Sequence, residues 1–280
     1  MKAESTKRTS PRKVVLSLAA AMCVAMAGEA AAVNNCGTIS ANTSLSGDVT
    51  VSGTVGPCFQ ITGGADLNLN GHKIKCPLNM DGTPNCPQHA AIECSTSGSN
   101  HVNSIVQGGA IDGNFPTAVV DCGTVKEVKI TGATNGISWT GTSNGKDYLR
   151  NVIQLAGTTG IGINMSLADA DDAINDNRID GGGTGIKISG RSQANGPRVY
   201  ENVIRGYTSY GVLNVDTSHV RLEDNVIIEG LAGSDPISVQ STNFVRTDIV
   251  CEKDKLAGGE SSKCNCELDT YAVPDDCFTP

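Results

Sequence analysis

Apolar and polar residues alternate in short runs along this chain. Ile186 and Ile188 flank Lys187, Val128 and Ile130 flank Lys129, and Val220 and Leu222 flank Arg221. Alternation of period two marks short strands with one buried face. Gly, Asn, Asp, Ser and Thr fill the intervals, as tight turns require. The runs also repeat. Asn151-Val152-Ile153, Asn177-Arg178-Ile179, Asn202-Val203-Ile204 and Asn225-Val226-Ile227 recur at intervals of 26, 25 and 23. A second marker, Gly136-Ile137, Gly160-Ile161, Gly185-Ile186 and Gly211-Val212, recurs at 24, 25 and 26. A unit of about 24 residues with two or three strands and no helix predicts a stacked architecture and fits one coil of a parallel β-helix. A leucine-rich repeat would need an L-x-x-L-x-L spacing, and hairpins would need two-residue turns; neither pattern is present. Residues 125–240 are expected to stack as four or more coils with the Asn series aligned.

The recurrent Asn has a physical role in such a stack. Coils about 4.8 Å apart put like residues above like. A buried Asn at a bend can then bond backbone groups and the amide above it. Asn151, Asn177, Asn202 and Asn225 therefore read as structural. These Asn-x-Ile stretches, with Leu67-Asn68-Leu69-Asn70-Gly71-His72-Lys73-Ile74 and Gly108-Gly109-Ala110-Ile111-Asp112-Gly113-Asn114, resemble the right-handed parallel β-helix repeat proteins of the pectate-lyase-like superfamily. The resemblance covers residues 36–245. It implies a right-handed coil and an extracellular polysaccharide as partner. It does not specify a reaction.

Residues 1–32 read as a secretory signal. Lys2, Lys7, Arg8, Arg12 and Lys13 make a basic start, and Ala30-Ala31-Ala32 offers cleavage before Val33. The apolar run from Val14 to Ala27 between them is too short to span a bilayer comfortably. Without Cys23, ten cysteines remain: Cys36, Cys58, Cys76, Cys86, Cys94, Cys122, Cys251, Cys264, Cys266 and Cys277. An even count in an exported chain reads as disulfides. They cluster at the two ends, where a stack must cover exposed strand edges and core. Cys36 and Cys58 bracket the first irregular segment and are expected to pair. The rival for the last four cysteines is a zinc site, although they lack C-x-x-C pairs. Removing the signal leaves 27 acidic against 16 basic residues, a balance of −11. That excludes nucleic acid and anionic membranes as general partners. The expectation is an all-β, single-stranded right-handed parallel β-helix (a solenoid) with disulfide-rich ends. It occupies residues 33–250, is followed by a cysteine-rich cap at 251–280, and is secreted (extracellular or periplasmic) as a monomer without a membrane span.

Enzymes of the resembling group work in a groove along one outer face, beside the longer turns. Here that implies the turns 140–147, 165–173 and 189–197. The middle turn carries Asp169, Asp171 and Asp172; Lys187 and Arg191 belong to the next repeat. These five are the candidate catalytic residues. An acid and a carboxylate suffice for glycoside hydrolysis. In resembling lyases several carboxylates hold Ca²⁺, the one cofactor implied, while an Arg or Lys removes the proton beside a uronate carboxyl. Asp171-Asp172-Ala173-Ile174 resembles part of the polygalacturonase pattern, but the Asn-Thr-Asp, Gly-His-Gly and Arg-Ile-Lys of that family are absent. The acidic turn is expected to face Lys187 and Arg191 across one coil, about 5 Å away. In the register of Ile161 and Ile186 the outward row reads Ser138, Gly162, Lys187, Leu213 and Ser238. Tyr207 and Tyr210 could stack on a sugar ring, whereas Trp139 reads as core. His72 belongs to an Asn-Gly-His turn, His219 points outward without triad partners, and His89 and His101 lack metal-ligand spacing. Two functions fit: binding or processing of an extracellular polysaccharide by a lyase or glycoside hydrolase, or a non-catalytic adhesin-like or structural scaffold.

Overall fold

The structure is a computed structural model that describes residues 31–51, 56–78, 86, 90–95, 103–141, 145–168, 171–190, 197–215, 220–228, 230–232, 234–240, 247–252, 255–256, 259–260 and 264–268. The apolar run of the expected signal lies outside the described residues. The first strand, Ala31–Val33, crosses the expected cleavage point and pairs with Thr43–Leu45. Among the described residues there are two sheets and no α-helix.

Nine strands form one sheet, each parallel to the next in sequence order, from Gly37–Ile39 to Asp235–Gln240. Between its successive members the middle of the chain gives two short strands to a nineteen-stranded sheet. Asp147–Leu149 and Val152–Gln154, for example, lie between Asn135–Trp139 and Ile161–Ala168. Each strand pairs in parallel with its counterpart one repeat away, so like residues fall into columns. Ile111, Ile130, Ile153, Ile179, Ile204 and Ile227 form one such column, fully buried. The arrangement is compatible with a parallel β-helix. At the far end the parallel order stops, and Thr247–Glu252 pairs antiparallel with Cys264–Leu268.

The Asn series closes the bend between the two short strands of each repeat. Asn177 Oδ1 accepts from the backbone N–H of Asn151 at 3.0 Å and from its Nδ2 at 2.9 Å. Asn202 does the same for Asn177, and Asn225 for Asn202. Each Nδ2 also donates to a main-chain carbonyl: Val125, Tyr148, Ile174 and Val199 in turn. Where Asn is absent, Val128 N–H still donates to Asn151 Oδ1. The bend forces the preceding residue into the left-handed region, with φ of 57°, 51°, 53°, 57° and 53° at Glu127, Arg150, Asp176, Glu201 and Asp224. That conformation costs about 1–2 kcal/mol per residue for a side chain with a Cβ. The buried amide bonds offset it.

The glycine marker has a steric cause, which corrects its register. A Cβ on Gly136 would lie 2.3 Å from Gly162 O, one on Gly162 2.5 Å from Gly185 O, and one on Gly185 2.6 Å from Gly211 O. The same Cβ positions would strike the Cγ2 of Ile153, Ile179 and Ile204 in the other sheet. So the column runs Gly136, Gly162, Gly185, Gly211. The chain reads Gly160-Ile161-Gly162-Ile163, and the second Gly-Ile, not the first, is the marker. The outward row is corrected with it: Asn164, not Gly162, stands between Ser138 and Lys187. Trp139 is buried as expected, opposite Met165.

All six described cysteines of the N-terminal third are paired, as Cys36–Cys58, Cys76–Cys86 and Cys94–Cys122. Cys36 and Cys58 immediately precede the paired residues Gly37 and Phe59, so the expected disulfide ties neighbouring strands. Cys94–Cys122 does the same further along that sheet. At the other end the backbone sets Cys251 opposite Cys264; Cys277 lies outside the described residues.

Asn177→Ala strands the amide of Asn151 and the carbonyl of Tyr148 in the core, at about 1–3 kcal/mol for each lost partner. Lys129→Ala, on an exposed site, should stay within about 0.5 kcal/mol. Urea unfolding of the two variants measures the difference. Equal midpoints would remove the ladder from the stability of the fold.

Candidate functional site

Asp172 of the acidic turn does not take the place predicted for it. The strand Ile161–Ala168 runs into the segment expected as a turn, through an irregularity at Leu167, where φ is 53°. Asp169 and Arg191 lie outside the described residues. Asp171 is exposed, but Asp172 is fully buried. Its Oδ1 accepts from the backbone N–H of Gly145 at 3.0 Å and of Lys146 at 2.9 Å. Its Oδ2 meets the Lys146 ammonium at 2.8 Å, with both side chains 0% exposed. Lys146 Nζ also donates to Leu167 O at 3.3 Å and lies 5.2 Å from the centre of the Trp139 ring. Asp172 therefore turns to the repeat before it, not to Lys187 in the repeat after it. The expectation that Asp172 faces Lys187 across one coil is corrected. The signal that could have found the partner is the interval, since Lys146 and Asp172 stand one repeat apart in the chain.

The surroundings of this pair are acidic and dry. Burial, and then the charge of Asp172, hold the Asp147 carboxyl above its ordinary range. Burial, followed by Asp172, Asp121 and Asp147, pushes the Tyr148 phenol well up. The Tyr148 hydroxyl is buried without a hydrogen-bond partner among the described residues. Asp121 is engaged by Thr140, whose N–H donates to it at 2.6 Å.

Tyr207 cannot be a sugar platform. It is fully buried, and a Cβ on Gly230 would touch its ring at 2.6 Å. The ring expected to stack on a sugar fills the core instead. Tyr210 is half-buried, in register with Thr184. His72 stands 3.7 Å from Asp48, which also takes the Lys75 ammonium at 2.6 Å, so it is part of a surface turn. His89, His101 and His219 lie outside the described residues.

What remains as a site is the outer face of the nine-stranded sheet. Its central row runs Val120, Ser138, Asn164, Lys187, Leu213 in successive strands. Asn164 Nδ2 donates to Ser138 Oγ at 3.2 Å. Beside this row Ser189 Oγ donates to Ser166 Oγ at 3.4 Å. Lys187 lies between the buried Ile186 and Ile188 and is half-buried. Its ammonium has no ion-pair or hydrogen-bond partner among the described residues. On the other sheet several cations are matched: Arg150 with Glu127, Arg178 and Arg205 with Asp180, and Arg198 with Glu223. The Lys187 face thus offers hydroxyl, amide and ammonium groups at strand spacing, about 4.8 Å.

No family model matches the chain, and no curated protein or solved structure matches it. Among the described residues no group of three His, Cys, Asp or Glu side chains could hold a metal ion. Asp172, with both oxygens engaged, does not suit the Ca²⁺ role that the resemblance implies. No helix among the described residues is long and apolar enough to cross a membrane.

Removing one partner of a buried ion pair leaves an uncompensated charge. Asp172→Ala should therefore cost about 3–5 kcal/mol, and Asp171→Ala less than about 0.5 kcal/mol. Thermal melts of the two single variants test this. A stable Asp172→Ala would return the residue to the surface.

Proposed function

We propose that this chain is a secreted right-handed parallel β-helix of the pectate-lyase-like kind, and that it binds an extracellular polysaccharide on the outer face of the nine-stranded sheet. Several observations support the architecture: the three-strand repeat, the Asn and Gly columns, and the parallel register of both sheets. Disulfides point to an oxidising compartment, in keeping with export. The observation that carries the binding reading is Lys187, a cation unmatched among the described residues, beside Ser and Asn side chains.

The chemistry suits a polyhydroxy chain. Ser138, Ser166 and Ser189 can donate and accept, Asn164 can do both, and Lys187 donates to hydroxyl or acid oxygens. Rigid strands hold these groups in place, so little ordering is needed on binding. Cleavage has weaker support. Acid–base hydrolysis needs two available carboxyl groups, and Asp172 is already committed to Lys146. Binding without turnover is therefore the reading we adopt.

Electrophoresis through gels containing a panel of neutral and acidic polysaccharides tests it. At least one polymer should retard the protein. A hydrogen bond to a charged group contributes about 1.5–3 kcal/mol, so Lys187→Ala should weaken that binding roughly tenfold or more. Lys129→Ala, on the other sheet, should leave it unchanged. No retardation by any polymer would favour the scaffold reading, and equal losses in the two variants would move the site off this face.

A further inference from the structure

We infer that Lys146 and Asp172 join in an intramolecular isopeptide bond that locks two successive repeats together. The two side chains come from consecutive repeats and meet at 2.8 Å with neither exposed. Two features of the surroundings are those an amide-forming site requires.

The first is an electrophile with its oxygen already held. Asp172 Oδ1 accepts from two consecutive backbone N–H groups, those of Gly145 and Lys146. Donors fixed in this way stabilise the negative charge that gathers on a carboxyl oxygen during attack. The second is a held nucleophile shielded from water. Lys146 Nζ is fixed by Asp172 Oδ2, by Leu167 O and by the face of Trp139. Fixing both reactants in one dry place removes most of the entropic barrier and leaves little water to reverse the reaction.

The step balances without a co-reactant. Proton transfer within the pair gives a neutral amine and a neutral acid. The amine lone pair attacks Cγ of Asp172, forming the C–N bond and a tetrahedral centre with its charge on Oδ1. Collapse breaks the Cγ–Oδ2 bond. Oδ2 leaves as water, with its own acid proton and one proton taken from the nitrogen. One water is lost, and nothing is oxidised or reduced.

Peptide mapping of the full chain decides the matter. The protein is reduced, alkylated, digested with trypsin and sequenced by tandem mass spectrometry. Trypsin does not cut after an acylated lysine. The expected product is one branched peptide joining 130–150 to 151–178, lighter than the two parts by the mass of a water. Separate peptides ending at Lys146 and spanning 151–178 at their unmodified masses would overturn the bond.

Discussion

Everything in this fold hangs on the amide of one buried residue type at one bend. A chain that turns between two short strands leaves main-chain N–H and C=O groups inside the protein, out of reach of water. An unmade bond there is expensive. The Asn side chain presents both a donor and an acceptor, and repeating it once per unit lets each copy complete the next. Asn151, Asn177, Asn202 and Asn225 do this without a gap. The left-handed residues before them are held in place by the same bonds.

The two markers of the repeat turn out to touch. Ile153, Ile179 and Ile204 lie against Gly136, Gly162 and Gly185, so closely that a methyl group would not fit. This contact sets the distance between the two sheets and explains why both patterns recur together. The strands, the columns, the buried Trp139 and the first disulfide could be read from the chain because each depends on local alternation or on neighbours in a repeat. The register of one repeat could not. Gly160-Ile161-Gly162-Ile163 offers two equivalent markers, and only the clash at Gly162 with Ile179 distinguishes them.

The site was harder to read, for a different reason. Charge in a turn ordinarily signals water. Asp172 and Lys146 break that rule because each neutralises the other from one repeat away, under Trp139. Tyr207 breaks it too, since a ring flanked by polar residues still fills the core. Lys187 keeps its expected place on an outer strand. Its polar neighbour in the row is recognised only once Asn164 replaces Gly162 beside it.

Hydrogen exchange tests the governing constraint most directly. The amides of Asn151, Asn177 and Asn202 each donate to a buried side-chain oxygen. If these bonds hold the stack together, the three amides should open only with global unfolding, and should be among the slowest in the protein. Exchange at rates typical of turn residues, while the neighbouring strand amides stay protected, would contradict the ladder as the element on which the fold depends.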